Sequence, residues 1–220
     1  MSLAAKRSRA HNICLLAAAA LLAGAAILFG SPLIPRAFAG CPDVEVVFAR
    51  GTDEPPGLGK VGGAFVDSLR RQSSRDIGSY AVNYPANDDF LAATDGANDA
   101  SNHIQHMADH CPSTKLVLGG YSQGAAVIDI VTAAPIAALG FRDPLPAEAA
   151  DHVAAVALFG NPSGRAGNLM TALSPDFGNK ILNLCVPGDP ICSDGNSWQA
   201  HLSYVPGLTN KAAHIVAAKI

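Results

Sequence analysis

From residue 40 onward, short and nearly unbroken apolar runs alternate with longer stretches in which apolar residues recur every three or four positions. The runs Val44 to Ala49 (VEVVFA), Lys115 to Gly119 (KLVLG) and Val153 to Phe159 (VAAVALF) have the length and β-branched content of buried strands. YAVNY at 80–84, stopped by Pro85, and KILNL at 180–184 add two more. Between them, helical spacing predicts helices over 61–73, 95–109 and 123–134, with a closing helix over the last twelve or so residues. The third of these is ended by Pro135. Strands that are apolar throughout, alternating with helices, predict a parallel sheet covered on both faces, the α/β class. No internal repeat or low-complexity linker follows residue 40, so 40–220 reads as one domain. In such sheets the binding crevice lies at the carboxyl ends of the strands. Thr52, Ser122 and Asp189 each follow a predicted strand closely, the first, third and fifth.

The third strand runs into Gly120-Tyr121-Ser122-Gln123-Gly124, and the helix after it is apolar nearly all round. Gly-x-Ser-x-Gly is a weak pattern alone, but between a strand and a buried helix it describes a nucleophile elbow. The sharp turn lifts the hydroxyl above the sheet, and the flanking glycines remove side chains that would collide there. The helix amino terminus then faces any developing oxyanion. The bland reading is an ordinary strand-to-helix turn with a capping serine.

A serine hydroxyl needs a base, and elbow hydrolases place acid and then histidine downstream of it. Of the later histidines, His152 precedes the fourth strand, at the wrong end of the sheet, and His214 falls in the closing helix with no acid near it. His201 follows the fifth strand in a segment, SWQAHLSYV, read as irregular. For the acid, Asp189 is favoured over Asp194 because it lies inside a loop bounded by Cys185 and Cys192, which would hold it rigidly if those cysteines pair.

The amino terminus changes the picture of where this chemistry takes place. Lys6, Arg7 and Arg9 precede an alanine-rich apolar run from Ile13 to Phe29, and Ala37-Phe38-Ala39 follows. This is the layout of a secretory signal over 1–39, with cleavage expected before Gly40. An uncleaved membrane anchor is the competing reading. The leader holds four of the 15 Lys and Arg and none of the 18 acids, leaving 11 basic residues and a net charge of −7. With no basic cluster after residue 40, nucleic acid is excluded as a partner. Cys14 leaves with the leader; Cys41, Cys111, Cys185 and Cys192 remain, an even set suited to an oxidising compartment. Three connectivities are open, and the short spacing favours Cys185 with Cys192, leaving Cys41 with Cys111. Acylation of Cys41 in a lipoprotein signal is an alternative that would strand Cys111.

GYSQGA, the C…GD…C loop and HLSY together resemble the cutinase family of secreted serine esterases. VVFARGT, YPAN and the Cys41/Cys111 spacing resemble its actinobacterial members, those of mycobacteria in particular. The resemblance covers residues 41 to 220. It implies a three-layer α/β-hydrolase with a five-stranded parallel sheet, no large lid, no cofactor and no metal. It carries the nucleophile to Ser122, the acid to Asp189 and the base to His201. The oxyanion residue falls on Thr52, where fungal members have serine, paired with the backbone amide of Gln123. The family's two disulfides match Cys41–Cys111 and Cys185–Cys192. The implied activity is hydrolysis of short- to medium-chain acyl esters or lipids by a monomer, secreted or associated with the cell envelope and meeting lipid surfaces transiently. The alternatives are phospholipase A or lipase action on longer chains, or a secreted binding protein that keeps the fold without catalysis.

Other signals point elsewhere. His103, His106 and His110 share one predicted helix face at metal-ligand spacing, but without the HExxH glutamate a solvated face is expected. Cys185, Cys192 and His201 also draw as a metal set, against which paired cysteines are the default in an exported protein. GLGKVGG at 57–63 lacks the ending of a phosphate loop and reads as a turn into a helix. Connections 135–150 and 160–179, broken by prolines, carry no amphipathic lid. Phe90 and Leu91 on one side, and Leu202, Tyr204 and Val205 on the other, are expected to form two apolar lips beside Ser122.

Overall fold

In the computed structural model, residues 40–220 are described except 90, 134–136, 138–139 and 168–169. The leader and Phe90 therefore lie outside the described residues. Strands β1 (Val44–Ala49), β2 (Ile77–Ala81), β3 (Lys115–Tyr121), β4 (Val153–Phe159) and β5 (Ile181–Leu184) form one sheet in the order β2-β1-β3-β4-β5. Every pairing is parallel. Helices α1 (Gly59–Gln72), α2 (Ala92–His110), α3 (Gln123–Ala133), α4 (Ala147–Asp151), α5 (Trp198–His201) and α6 (Gly207–Ala217) complete the regular structure, with short 3-10 turns at Pro162–Gly164 and Thr171–Leu173.

Strand residues alternate between two cores, which makes three layers. Val47, Leu118, Val156 and Leu158 face α2 and α3, meeting Ala97, Ile104, Val127 and Ile128. Val46, Phe48, Val117 and Phe159 face α1 and α6, meeting Phe65, Leu69, Ala213 and Val216. Each fully buried side chain of this size stabilises the fold by about 1.5–3 kcal/mol relative to exposure. Because both faces are covered, the strands read as continuous apolar runs, which is why β1 and β4 have the bounds expected from sequence.

The second strand differs. It begins at Ile77 rather than Tyr80, and its residues pair in register from Val44↔Ile77 to Phe48↔Ala81. IGSYA carries too little apolar pattern to announce itself, so β1 sets its position through the backbone ladder. Beyond it the chain leaves the sheet: Asp99 on α2 accepts the Asn83 amide, and Tyr84 turns into the core.

The order of the strands positions the site. The chain winds outward from β1 to β2, then returns to place β3 on the other side of β1. The crevice of such a sheet opens where the winding reverses, at the carboxyl ends of β1 and β3. Thr52 follows the first of these and Ser122 the second.

Candidate active site

Ser122 has φ 55, in the left-handed region that a side chain ordinarily avoids. Such strain stands at about 1–3 kcal/mol and persists only where surroundings enforce it. Here the Ser122 amide still donates to Phe159 of β4 at 2.9 Å, while its carbonyl already accepts from Ala125 in the first turn of α3 at 2.9 Å. The residue thus belongs to sheet and helix at once. Both flanking glycines are forced by close approach: a Cβ on Gly120 would lie 2.1 Å from the Gly124 carbonyl oxygen. One on Gly124 would lie 2.0 Å from that of Ala49. The helix start is packed onto the end of β1 without room for a methyl group.

His201 brings its Nε2 to 3.0 Å from Ser122 Oγ and its Nδ1 to 2.8 Å from Asp189 Oδ2. Asp189 is wholly buried and His201 nearly so. The structure thus draws together the predicted nucleophile, base and acid. Asp194 is exposed and has no bond to His201, His152 sits at the foot of β4, and His214 faces solvent on α6. The segment around His201 is not irregular: Ser197 caps a single turn, α5, by accepting the Ala200 amide, so the imidazole hangs from a fixed helical end.

The cysteines pair as Cys41–Cys111 and Cys185–Cys192, with S–S distances of 2.02 and 1.98 Å. The second bridge closes the loop that carries Asp189. Two disulfides fit an exported protein, and among the described residues no helix is long and apolar enough to cross a membrane.

Thr52 and Gln123 meet across the crevice. The Thr52 hydroxyl donates to Gln123 Oε1 at 3.4 Å, and Gln123 Nε2 donates to the Asn87 carbonyl at 2.8 Å. The loop after β1 is held by two clamps that the sequence did not announce, one of them buried. Arg50 donates to the carbonyls of Glu54 and Tyr84, each at 2.7 Å, and lies over the Tyr84 ring. Glu54 accepts the amides of Gly51 and Lys60, also at 2.7 Å. The Glu54 carboxylate therefore fills the amide cradle ahead of α1, so GLGKVGG is a turn into a helix with its anion supplied internally.

A cavity of about 630 Å³ runs past Ser122, His201, Thr52 and Gln123. Its apolar wall is formed by Val61, Pro162, Pro190, Ile191, Trp198 and Leu202. This differs from the expected lips. Leu202 lines the cavity, whereas Leu91 is exposed outside it and Val205 packs into the core. Tyr204 is wholly buried, because the turn after α5 points it inward, beneath the site. Two aromatic rings that sequence reasoning passed over enclose the imidazole. Tyr121 and the exposed Trp198 each stack near-parallel to it with centroids 5.1 Å away. Burial pushes the Tyr121 phenol well above its ordinary range, and its hydroxyl donates to the His201 carbonyl at 2.6 Å.

The histidines of α2 are not uniformly solvated. His106 and His110 are exposed, but His103 is half-buried, bonded to Glu45 at 2.7 Å and stacked on Tyr80 at 3.5 Å. Among the described residues no group of three or more His, Cys, Asp or Glu is placed to hold a metal ion. Between α3 and β4, and between β4 and β5, the described residues form only the five-residue α4 and the two 3-10 turns.

Comparison with known proteins agrees with this geometry. The family model for cutinase matches residues 40–220. The chain is 70% identical over 202 residues to Phospholipase Culp4 of Mycobacterium tuberculosis, covering 92% of this chain and 89% of that one. It is 50% identical over 189 residues to Carboxylesterase Culp1 of Mycobacterium bovis, covering 82% of each. Among solved structures it resembles Trichoderma reesei cutinase in complex with a phosphonate inhibitor, at 35% identity and TM-score 0.64, covering 82% of this chain and 75% of that one. The catalytic core of acetyl xylan esterase from the same fungus matches at 25% identity and TM-score 0.70, covering 82% of this chain and all of that one. The chain belongs to the cutinase family of α/β-hydrolases and is a carboxylic ester hydrolase.

Proposed function

We propose that the protein is exported by cleavage of the 1–39 leader between Ala39 and Gly40, and that residues 40–220 hydrolyse short- to medium-chain acyl esters through an acyl-enzyme on Ser122. The observation that carries the reading is the unbroken hydrogen-bond line from Ser122 Oγ through His201 to Asp189. His201 Nε2 takes the serine proton as Oγ attacks the ester carbonyl. Asp189 holds the tautomer with the Nδ1 proton and stabilises the imidazolium, without taking the proton itself. The Thr52 and Gln123 amides receive the oxyanion. Neither has a hydrogen-bond acceptor among the described residues, which supports their availability. The proton returns from Nε2 to the departing alkoxide, and water then repeats the sequence on the acyl-enzyme. The apolar wall from Val61 to Leu202 suits an acyl chain laid beside Ser122.

A second reading is phospholipase A action. It is favoured by the relative at 70% identity, which is named a phospholipase, and by the exposure of Trp198 and Leu202 on the wall of the cavity.

A single set of assays tests both readings. An organophosphonate should label Ser122 stoichiometrically, and Ser122→Ala should lower kcat by about 10⁶ with the fold intact. Retention of a tenth of the activity would remove Ser122 from the mechanism. Soluble butyrate and hexanoate esters should show simple saturation. Faster release of fatty acid from dispersed phosphatidylcholine than from those esters would favour the second reading, and a jump in rate only at micelle formation would reveal a lid.

A further inference from the structure

Asp189 is a wholly buried carboxylate that no Lys or Arg side chain among the described residues neutralises. An anion so placed is held by hydrogen-bond donors or it takes up a proton. Three donors reach it. The Ile191 amide donates to Oδ1 at 2.7 Å, while His201 Nδ1 and the Tyr204 hydroxyl converge on Oδ2 at 2.8 and 2.5 Å. We propose that Tyr204 is a positioning residue of the reaction, a neutral donor that rises from the core to fix the Asp189 carboxylate and limit the negative charge Asp189 presents to His201.

The surroundings of Tyr204 suit that task. Its ring stands edge-on to Phe159 and Tyr121, packed between β4 and the site. Its hydroxyl also accepts the Val186 amide at 3.3 Å and touches Cys192 Sγ at 3.3 Å, so both ends of the disulfide loop bear on it. Burial, and then the bond to Asp189, push its ionisation far above the ordinary range for tyrosine, so it stays a donor wherever the enzyme works. Gly160, at the end of β4 with φ 61, leaves the space in which these groups meet. A Cβ there would stand 3.1 Å from His201 Cε1 and the Tyr204 hydroxyl, and 3.3 Å from Asp189 Oδ2. Because two donors share Oδ2 and a third holds Oδ1, the carboxylate has no freedom to rotate and offer a different oxygen to the histidine.

The sign of the electrostatic effect follows. A donor on Oδ2 draws charge away from the Asp189–His201 bond and makes the imidazole less basic. Removing it makes the imidazolium easier to form and loosens the carboxylate. The other titratable groups around this set are Tyr121, stacked on His201, and those of the cavity rim, Asp53, Glu54, Lys60, Asp88 and Arg165, the last of which donates to the Pro190 carbonyl beside Asp189. None of them changes in the variant.

The inference rests on Ser122, His201 and Asp189 as the reacting set. The test is Tyr204→Phe, which keeps the buried ring and removes only the hydroxyl. The expected result is a kcat lower by about 10-fold or more, KM within twofold, and the acid limb of the kcat/KM profile moved to higher pH. In an Asp189→Asn background the same substitution should alter kcat by less than threefold, because its effect travels through the carboxylate. A fluorotyrosine at 204, equal in shape and a stronger donor, should keep activity and move the acid limb to lower pH. It also decides the matter should Tyr204→Phe fail to fold. A kcat within threefold of wild type, or a loss of kcat with an unmoved acid limb, would overturn the proposal. Those results leave Ser122 labelling intact, so they are distinguishable from failure of the esterase mechanism.

Discussion

The two disulfides are expected to do separable work, and removing them one at a time separates stability from catalysis. Cys41 precedes β1 and Cys111 follows α2, so their bridge lies at the amino-terminal edge of the sheet, opposite Ser122. It spans a sequence separation of 70, for which loop-closure entropy gives about 4.4 kcal/mol of stabilisation. Cys185–Cys192 spans 7, and the same relation gives about 2.4 kcal/mol. At about 2–4 °C per kcal/mol for a domain of this size, Cys41→Ala/Cys111→Ala should lower Tm by roughly 9–18 °C, and Cys185→Ala/Cys192→Ala by roughly 5–10 °C. Activity should fall in the opposite order. The short loop fixes Asp189, and displacement of a catalytic group by about 1 Å lowers rates by about 10². At 25 °C, below both transitions, the first variant should keep kcat/KM within threefold, and the second should lose about 10² or more. Calorimetry and initial rates on a soluble butyrate ester supply both quantities. Equal losses of activity, or the larger loss in the Cys41/Cys111 variant, would refute the separation.

Thr52→Val should lower kcat by about 10² with KM little changed if the hydroxyl turns from Gln123 Oε1 to the oxyanion, and an unchanged kcat would leave that role to the backbone amides. All four tyrosines titrate above their ordinary range in the folded protein, Tyr80 at about 12, with burial the leading cause in each. Folded-state values raised above the unfolded value of about 10 mean that their contribution is complete below pH 10 and is lost as pH climbs from there towards 12 and beyond. Phenolate absorbance should therefore stay low through pH 10 and rise together with loss of the fold; a gradual rise in the native protein near pH 10 would contradict this.

What the sequence made legible was whatever its chemistry states locally. The bounds of β1 and β4 follow from unbroken apolar runs, and the elbow follows from two glycines whose absent Cβ atoms would have struck backbone. Asp189 and His201 were legible because a short cysteine loop and the order of residues after the serine left few candidates. β2 was displaced by three residues because its partner, and not its own pattern, determines where it pairs. Phe90 and Leu91 look like lips because they follow a strand, yet Leu91 stands outside the cavity, while the apolar wall is drawn from four other segments of the chain.

The aromatic residues mark where sequence reading stopped, and for one physical reason. By sequence Tyr204 reads as a surface lip, because it follows His201 by three positions among apolar neighbours. A tyrosine has the same side chain whether its hydroxyl meets water or a buried carboxylate, and only the packing of β4, the disulfide loop and α5 decides which. The same holds for Tyr121, hidden inside the elbow motif as its unspecified second residue, and for Trp198, an exposed ring one turn before the histidine it covers. The hydrogen-bond line through Ser122, His201 and Asp189 joins groups whose proposed work is to exchange or hold a proton, so their residue types betray them. The rings around it act by shape, burial and a single donated hydrogen bond, properties that arise only where distant segments converge. A signal of that kind does exist in the sequence, though a faint one. Gly160 ends an apolar strand where the Asn161-Pro162-Ser163-Gly164 turn would account for a glycine by itself, yet the space it leaves is also where Tyr204, Asp189 and His201 meet.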